Sequence, residues 1–130
     1  MPSYFGKTTA SKMLNKTLKA GADTFTGTGF LAMFKTNPTS NGTGAEMVGG
    51  SYARQSITVG GTTEGETINT NQINFVNMPA GTLPYWAIYD AVSGGTLLYY
   101  GSLEIPYTLV AGDELKIDVG ALKIAFDLGA

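Results

Sequence analysis

The chain contains no cysteine and no histidine, and charged residues make up only 14% of its 130 positions. Without cysteine there is no disulfide framework and no thiolate chemistry. Without histidine the usual proton shuttle at neutral pH and the commonest transition-metal ligand are both missing, so Ser-His-Asp and Cys-His catalysis cannot be assembled within one chain. The charge content falls well under the roughly 25% of an average soluble domain. The surface must then be rich in Thr, Ser, Asn and Gly, which suits a protein that spends its life packed against partners. No apolar run approaches the roughly 18 residues that span a bilayer, and the N-terminus lacks the apolar stretch of a signal peptide. The expectation is a protein made in a reducing cytoplasm, with no membrane partner.

The few charges are unevenly placed. Lys7, Lys12, Lys16 and Lys19 precede the first acid, Asp23, so the first 22 residues carry +4 and the remainder −6, for a net charge of −2. That net charge excludes a strongly basic nucleic-acid binder. A basic arm leading an acidic body can dock on an acidic neighbour; it can equally be the solvated lysine face of a short helix.

Periodicity changes once, near Gly21. Before it, Ala10, Met13, Leu14, Thr17 and Leu18 recur at three- and four-residue spacing, which predicts one short helix, capped by Thr8, Thr9 or Ser11 and ended by Gly21. After it the period becomes two. Glu114-Leu115-Lys116-Ile117-Asp118-Val119 alternates strictly, predicting a strand with Leu115, Ile117 and Val119 inward and Glu114, Lys116 and Asp118 outward. Segments 30–35, 52–59, 73–78, 85–89, 96–103 and 122–127 read similarly, separated by glycine-rich turns. Ser93-Gly94-Gly95 marks a hairpin between segments 85–89 and 96–100.

The predicted fold is therefore all-β: a seven- to eight-stranded antiparallel sandwich or barrel, jelly-roll-like, with one short N-terminal helix. At 130 residues the chain divides into a basic arm and helix over residues 1–20 and one β domain over residues 21–130. Residues 2–9 precede the expected helix and should add little to folding. Residues 37–50 form the longest irregular stretch, of a length that is commonly functional or interfacial.

Several local patterns imitate chemistry. Glu64/Glu66 and Asp113/Glu114 are close in sequence, but both pairs lie in turn regions where solvated carboxylates are ordinary. Gly6-Lys7-Thr8 looks like the end of a phosphate-binding loop, yet the first glycine of that motif would fall at Met1. Gly27-Thr28-Gly29 lacks a third glycine and leads into a strand. Asp113 and Glu114 lack the spaced oxygen-ligand array of a calcium loop. No catalytic residue, metal site or cofactor is expected. The aromatic set Tyr85, Trp86, Tyr89, Tyr99 and Tyr100 is denser and could stack on a sugar or contact a protein, although alternation divides it between core and surface, with Trp86 and Ile88 read as core.

Three blocks carry a resemblance. The first runs Leu31-Ala32-Met33-Phe34-Lys35-Thr36-Asn37-Pro38-Thr39 and continues from Gly42-Thr43-Gly44-Ala45-Glu46-Met47 to Arg54-Gln55. The second is Trp86-Ala87-Ile88-Tyr89-Asp90-Ala91 with Gly94-Gly95-Thr96-Leu97-Leu98-Tyr99-Tyr100-Gly101. The third is Gly112-Asp113 with Gly120-Ala121-Leu122. In order and spacing they resemble a family of small tailed-bacteriophage structural proteins, labelled capsid decoration (cement), head fibre or tail fibre proteins. The resemblance implies a non-enzymatic virion component, foremost a decoration protein on the capsid exterior, made in the host cytoplasm, that binds the major capsid protein and forms a homotrimer; the alternative is a fibre part that binds a host-surface glycan. The shell-binding candidates are then Tyr4, Phe5, Lys7, Lys12 and Lys16 in the arm and Asn37, Pro38, Asn41 and Glu46 in the long loop, with Tyr85, Tyr89, Tyr99 and Tyr100 as contact aromatics.

Overall fold

A computed structural model describes residues 3–19, 24–25, 27–62 and 64–125. In chain order the elements are β1 (Tyr4–Phe5), α1 (Lys7–Leu18), β2 (Gly29–Phe34), β3 (Gln55–Ile57), β4 (Glu66–Ile68), β5 (Ile73–Met78), β6 (Gly81–Tyr89), β7 (Leu97–Leu109), β8 (Asp113–Ile117) and β9 (Lys123–Ala125). A five-stranded antiparallel sheet in the order β1-β7-β6-β2-β3 is faced by two antiparallel pairs, β5-β8 and β4-β9. The sheets do not close on one another, so the all-β expectation resolves as a sandwich and not a barrel.

The core lies between the large sheet and the two pairs. Leu31, Met33, Trp86 and Ile88 point from the sheet onto Ile73, Phe75, Leu115, Ile117 and Ile124. The β2–β6 register sets this up, since Leu31 faces Ile88 and Met33 faces Trp86 on one side while Ala32 faces Ala87 on the other. Trp86 is 1% exposed and its indole N–H has no acceptor among the described residues, so the side chain acts there as apolar volume. The opposite face is buried as well, by Ala32, Phe34, Ala87, Tyr89 and Leu97. Two-sided burial explains why Phe30 to Phe34 and Tyr85 to Tyr89 read as continuous apolar runs instead of clean alternation.

Sequence expectation and structure part at definite places. Leu115 and Ile117 are buried as predicted, but Val119 is 61% exposed, because β8 ends at Ile117 and the chain turns, with Ala121 N–H donating to the Asp118 carbonyl. The hairpin at Ser93-Gly94-Gly95 forms, with Tyr89 opposite Leu97. Its strands are longer than expected, and their register shifts between Leu83 and Tyr85, around Pro84, which cannot donate to the ladder. Segment 52–59 is strand only over Gln55–Ile57, because Tyr52 and Arg54 are drawn into a polar network. Segment 122–127 is strand over Lys123–Ala125, with residues 126–127 outside the described ones. Strand β4 falls in a region expected to be turn.

The helix begins earlier than expected. Gly6 occupies the N-cap position without a side-chain hydrogen bond, and none of Thr8, Thr9 and Ser11 caps the helix. Thr9, 1% exposed, donates its hydroxyl to the Leu97 carbonyl at 2.8 Å, a tertiary bond in place of a cap. Gly21, the expected stop, lies outside the described residues.

Candidate functional site

The N-terminal segment is built into the sheet. Tyr4 pairs with Tyr100 and Phe5 with Tyr99, with ring centroids 5.4 and 5.6 Å apart. Gly6 N–H donates to the Leu98 carbonyl and Lys7 N–H to that of Ser40, each at 3.0 Å. A Cβ at position 6 would collide with the Leu97 carbonyl oxygen, so only glycine allows the chain to pass from β1 into α1 at this distance. The expectation that residues 2–9 add little to folding is thereby corrected over residues 4–9: a two-residue strand, the Gly6 amide and the buried Thr9 hydroxyl fasten the start of α1 to β7, and the Lys7 amide fastens it to the long loop at Ser40.

From that anchor α1 presents an outer stripe. Lys7, Ser11, Leu14 and Leu18 recur at four- and three-residue spacing and are all exposed, Leu14 by 60% and Leu18 by 80%. Lys16 and Lys19 are exposed on the same helix end. Lys12 is half-buried, its ammonium 5.1 Å from the centroid of the Phe25 ring.

The long loop is more internally committed than its sequence suggests. Pro38 is fully buried, and its carbonyl accepts the N–H groups of Thr43 and Gly44. Asn37 turns its Oδ1 onto the Thr39 N–H at 2.9 Å, whereas Asn41 is exposed. Glu46 closes a network: its Oε1 and Oε2 accept from Arg54 Nη2 and Nε at 2.9 and 3.0 Å, and Oε2 accepts from the Tyr52 hydroxyl at 2.7 Å. The Tyr52 oxygen in turn accepts from the Met33 N–H at 3.0 Å. Arg54 Nη1 donates to the carbonyls of Ala91 and Gly94 at 3.0 and 2.8 Å, and its guanidinium carbon sits 3.8 Å over the Tyr89 ring.

This geometry sets the charge states. Burial and the bond to Glu46 push the Tyr52 phenol far above its ordinary range, so it stays a donor. Burial alone would lower the Arg54 pKa, but the hydrogen bond and charge of Glu46 raise it. Burial likewise raises Tyr89 and Tyr99. Glu46 and Pro38 are thus structural members of the fold, and Asn41 is the exposed tip of the loop.

A family model described as podophage GP4 fiber I protein gp80 matches residues 5–125. The chain belongs to this phage fibre family. It is accordingly a structural component of a bacteriophage virion. The match runs from Phe5 in β1 to Ala125 at the end of β9, so helix, long loop and sandwich all lie within the matched residues. No curated protein matches the chain.

The contact aromatics do not form one platform on this fibre domain. Tyr99 packs toward the main core with Phe5, while Tyr85, Tyr89 and Tyr100 lie on the other side of the sheet. The paired carboxylates are separated by their partners: Glu66 meets Lys123 at 3.3 Å, Glu114 faces Lys116, and Asp113 accepts the Val110 N–H at 2.8 Å. Sequence reading missed Arg54 and Tyr52, whose signal was available: the single arginine of the sequence, four residues from the end of the loop that contains Glu46. It also missed Asn69, which is completely buried, donates to the Asn71 and Asp118 carbonyls and accepts from the Leu122 N–H.

Proposed function

We propose that this fibre-family domain is a non-enzymatic attachment module on the exterior of the phage head, docking on the major capsid protein through the outer stripe of α1. The observation that carries the reading is the pair Leu14 and Leu18, 60% and 80% exposed, on a helix whose first turn is locked to the sheet. Apolar side chains left open on a rigid element call for a surface to cover them, and the neighbouring Lys16 and Lys19 favour an acidic one. Contacts repeated over a lattice gain strength from simultaneous engagement, so each can be weak. A symmetric homotrimer fits the same picture, as a cysteine-free domain of low charge gains by sharing apolar surface with copies of itself. The alternative, a glycan platform of exposed tyrosines, has less support because the rings divide between two faces of the sheet.

The test is co-sedimentation with phage particles that lack the protein. Leu14→Glu with Leu18→Glu should abolish binding while leaving the melting temperature close to the parent's, because both side chains are mostly exposed. Binding equal to that of the parent protein would overturn the docking face, and labelled protein found on tails instead of heads would overturn the location.

A further inference from the structure

Between the start of α1, the loop tip at Ser40 to Gly42 and the hairpin turn at Gly94 to Leu97 lies a polar cup of about 390 Å³. Donors converge on it. Lys7 lines its rim. Gly6 offers no capping side chain, so the Thr8 amide, an orphan donor of the first turn, has no capping acceptor. Tyr89 is 7% exposed, with the Arg54 guanidinium over its ring and the Phe34 ring stacked near it. Its hydroxyl makes no hydrogen bond among the described residues. That hydroxyl lies beside Gly42, where a Cβ would approach it to 3.0 Å, and both residues line the cup. Burial keeps the phenol protonated at neutral pH, so it stands ready as a donor. The ring is packed away while the hydroxyl opens on the cup, so a ligand oxygen can accept from a donor that is already held in place and has no protein partner.

The charge balance narrows the ligand. Arg54 is already matched by Glu46, and the Asp90 carboxylate, engaged by the Thr96 N–H at 2.7 Å, sits behind the glycine turn. The remaining anionic preference comes from Lys7 and the N-terminal end of the helix dipole, enough for one carboxylate and not for a multiply charged group. Asn41 and Thr96 add side chains that both donate and accept, and the volume falls at the lower end of small-molecule sites, far beyond a lone carboxylate.

We propose that this cup binds a carboxylate-bearing sugar unit, with the carboxylate toward Lys7 and the Thr8 amide and a ring hydroxyl oxygen accepting from Tyr89. The site shares only Lys7 with the outer stripe of α1; its other lining residues lie on the first turn, the long loop, the hairpin and the sheet. The experiment is a titration of ¹⁵N-labelled full-length protein with glucuronate, using glucose and acetate as controls. Glucuronate should shift the amides of Thr8, Asn41, Gly42 and Thr96 at about 10 mM, a concentration that fills even a millimolar site, while glucose and acetate leave them in place. Tyr89→Phe, which removes a hydroxyl that has no protein partner, should weaken glucuronate binding about fivefold or more, in line with one lost hydrogen bond. Lys7→Gln, on the exposed rim, should weaken it similarly and serves as a second variant that leaves the Tyr89 packing intact. The proposal falls if glucuronate leaves these amides unmoved, if acetate or glucose matches it, or if either variant binds as the parent does.

Discussion

The two faces of the five-stranded sheet are buried by different chemistry. On one, Leu31, Met33, Trp86 and Ile88 pack on apolar side chains of the two strand pairs. On the other, Phe34, Tyr89 and Leu97 lie under Arg54 and the loop tip, and Arg54, with a side chain 9% exposed, depends on Glu46 and two carbonyls for its charge. The first face is limited by volume and tolerates apolar exchange that preserves it. The second is a polar network that stabilises only when complete, since a half-satisfied buried network is worse than an apolar one. The polar cup opens on the second face, where a recognition site can use donors already held in place.

The largest effects should separate the two faces by their rescue behaviour. Trp86→Ala should cost about 3 to 5 kcal/mol through cavity formation. Glu46→Ala should cost a similar amount, about 3 to 5 kcal/mol, by leaving the Arg54 charge buried and unpaired. Chemical denaturation of Glu46→Leu combined with Arg54→Met should recover most of the second loss, because removing both charges leaves none unpaired. A double variant no more stable than Glu46→Ala would show that the two faces do not differ in this way.

Within the apolar face, Ile117→Ala should cost about 2 to 5 kcal/mol. Between the two faces, pH supplies a probe that keeps the packing: the Tyr52 ring stacks on Phe75 at the edge of the main core while its hydroxyl belongs to the Glu46 network. The Tyr52 phenol titrates higher in the folded chain than in the unfolded one. Its stabilisation is therefore complete below the ordinary tyrosine value of about 10 and is lost as pH climbs above it, when the unfolded chain releases the proton first. The denaturation midpoint should be level from neutral to mildly alkaline pH and then fall, and Tyr52→Phe should blunt that fall; an equal fall in the variant would assign it to other groups. The smallest effect belongs to Val119→Ala, expected within about 0.5 kcal/mol because the side chain points to solvent. A loss near that of Ile117→Ala would extend the core face past the end of β8.

Much of the sandwich was legible because its signals are local. Strict alternation identified Leu115 and Ile117 as inward, and the glycine pair at 94 and 95 placed the hairpin. Alternation failed at Val119, where the strand ends although the pattern continues, and it could not announce β1, whose two residues have no period to read. The extension of β7 past Pro106 was hidden because proline normally interrupts a ladder. At the candidate site, helical spacing gave the helix but not its exposed stripe, since it grouped Leu14 and Leu18 with Ala10 and Met13, which are half-buried. The Glu46–Arg54–Tyr52 network and the Tyr89 hydroxyl were not legible, because they depend on which loop folds over which face, a long-range matter that no window of sequence contains.

Docking through α1 requires residues 4–9 to be fastened to the sheet, so that the helix is offered as a rigid face. Native-state amide exchange of the isolated protein tests this directly at Gly6 and Lys7, whose N–H groups donate to Leu98 and Ser40. The structure predicts protection at both amides comparable to that of the paired residues of β6 and β7. Exchange at the rate of an unstructured peptide would contradict it.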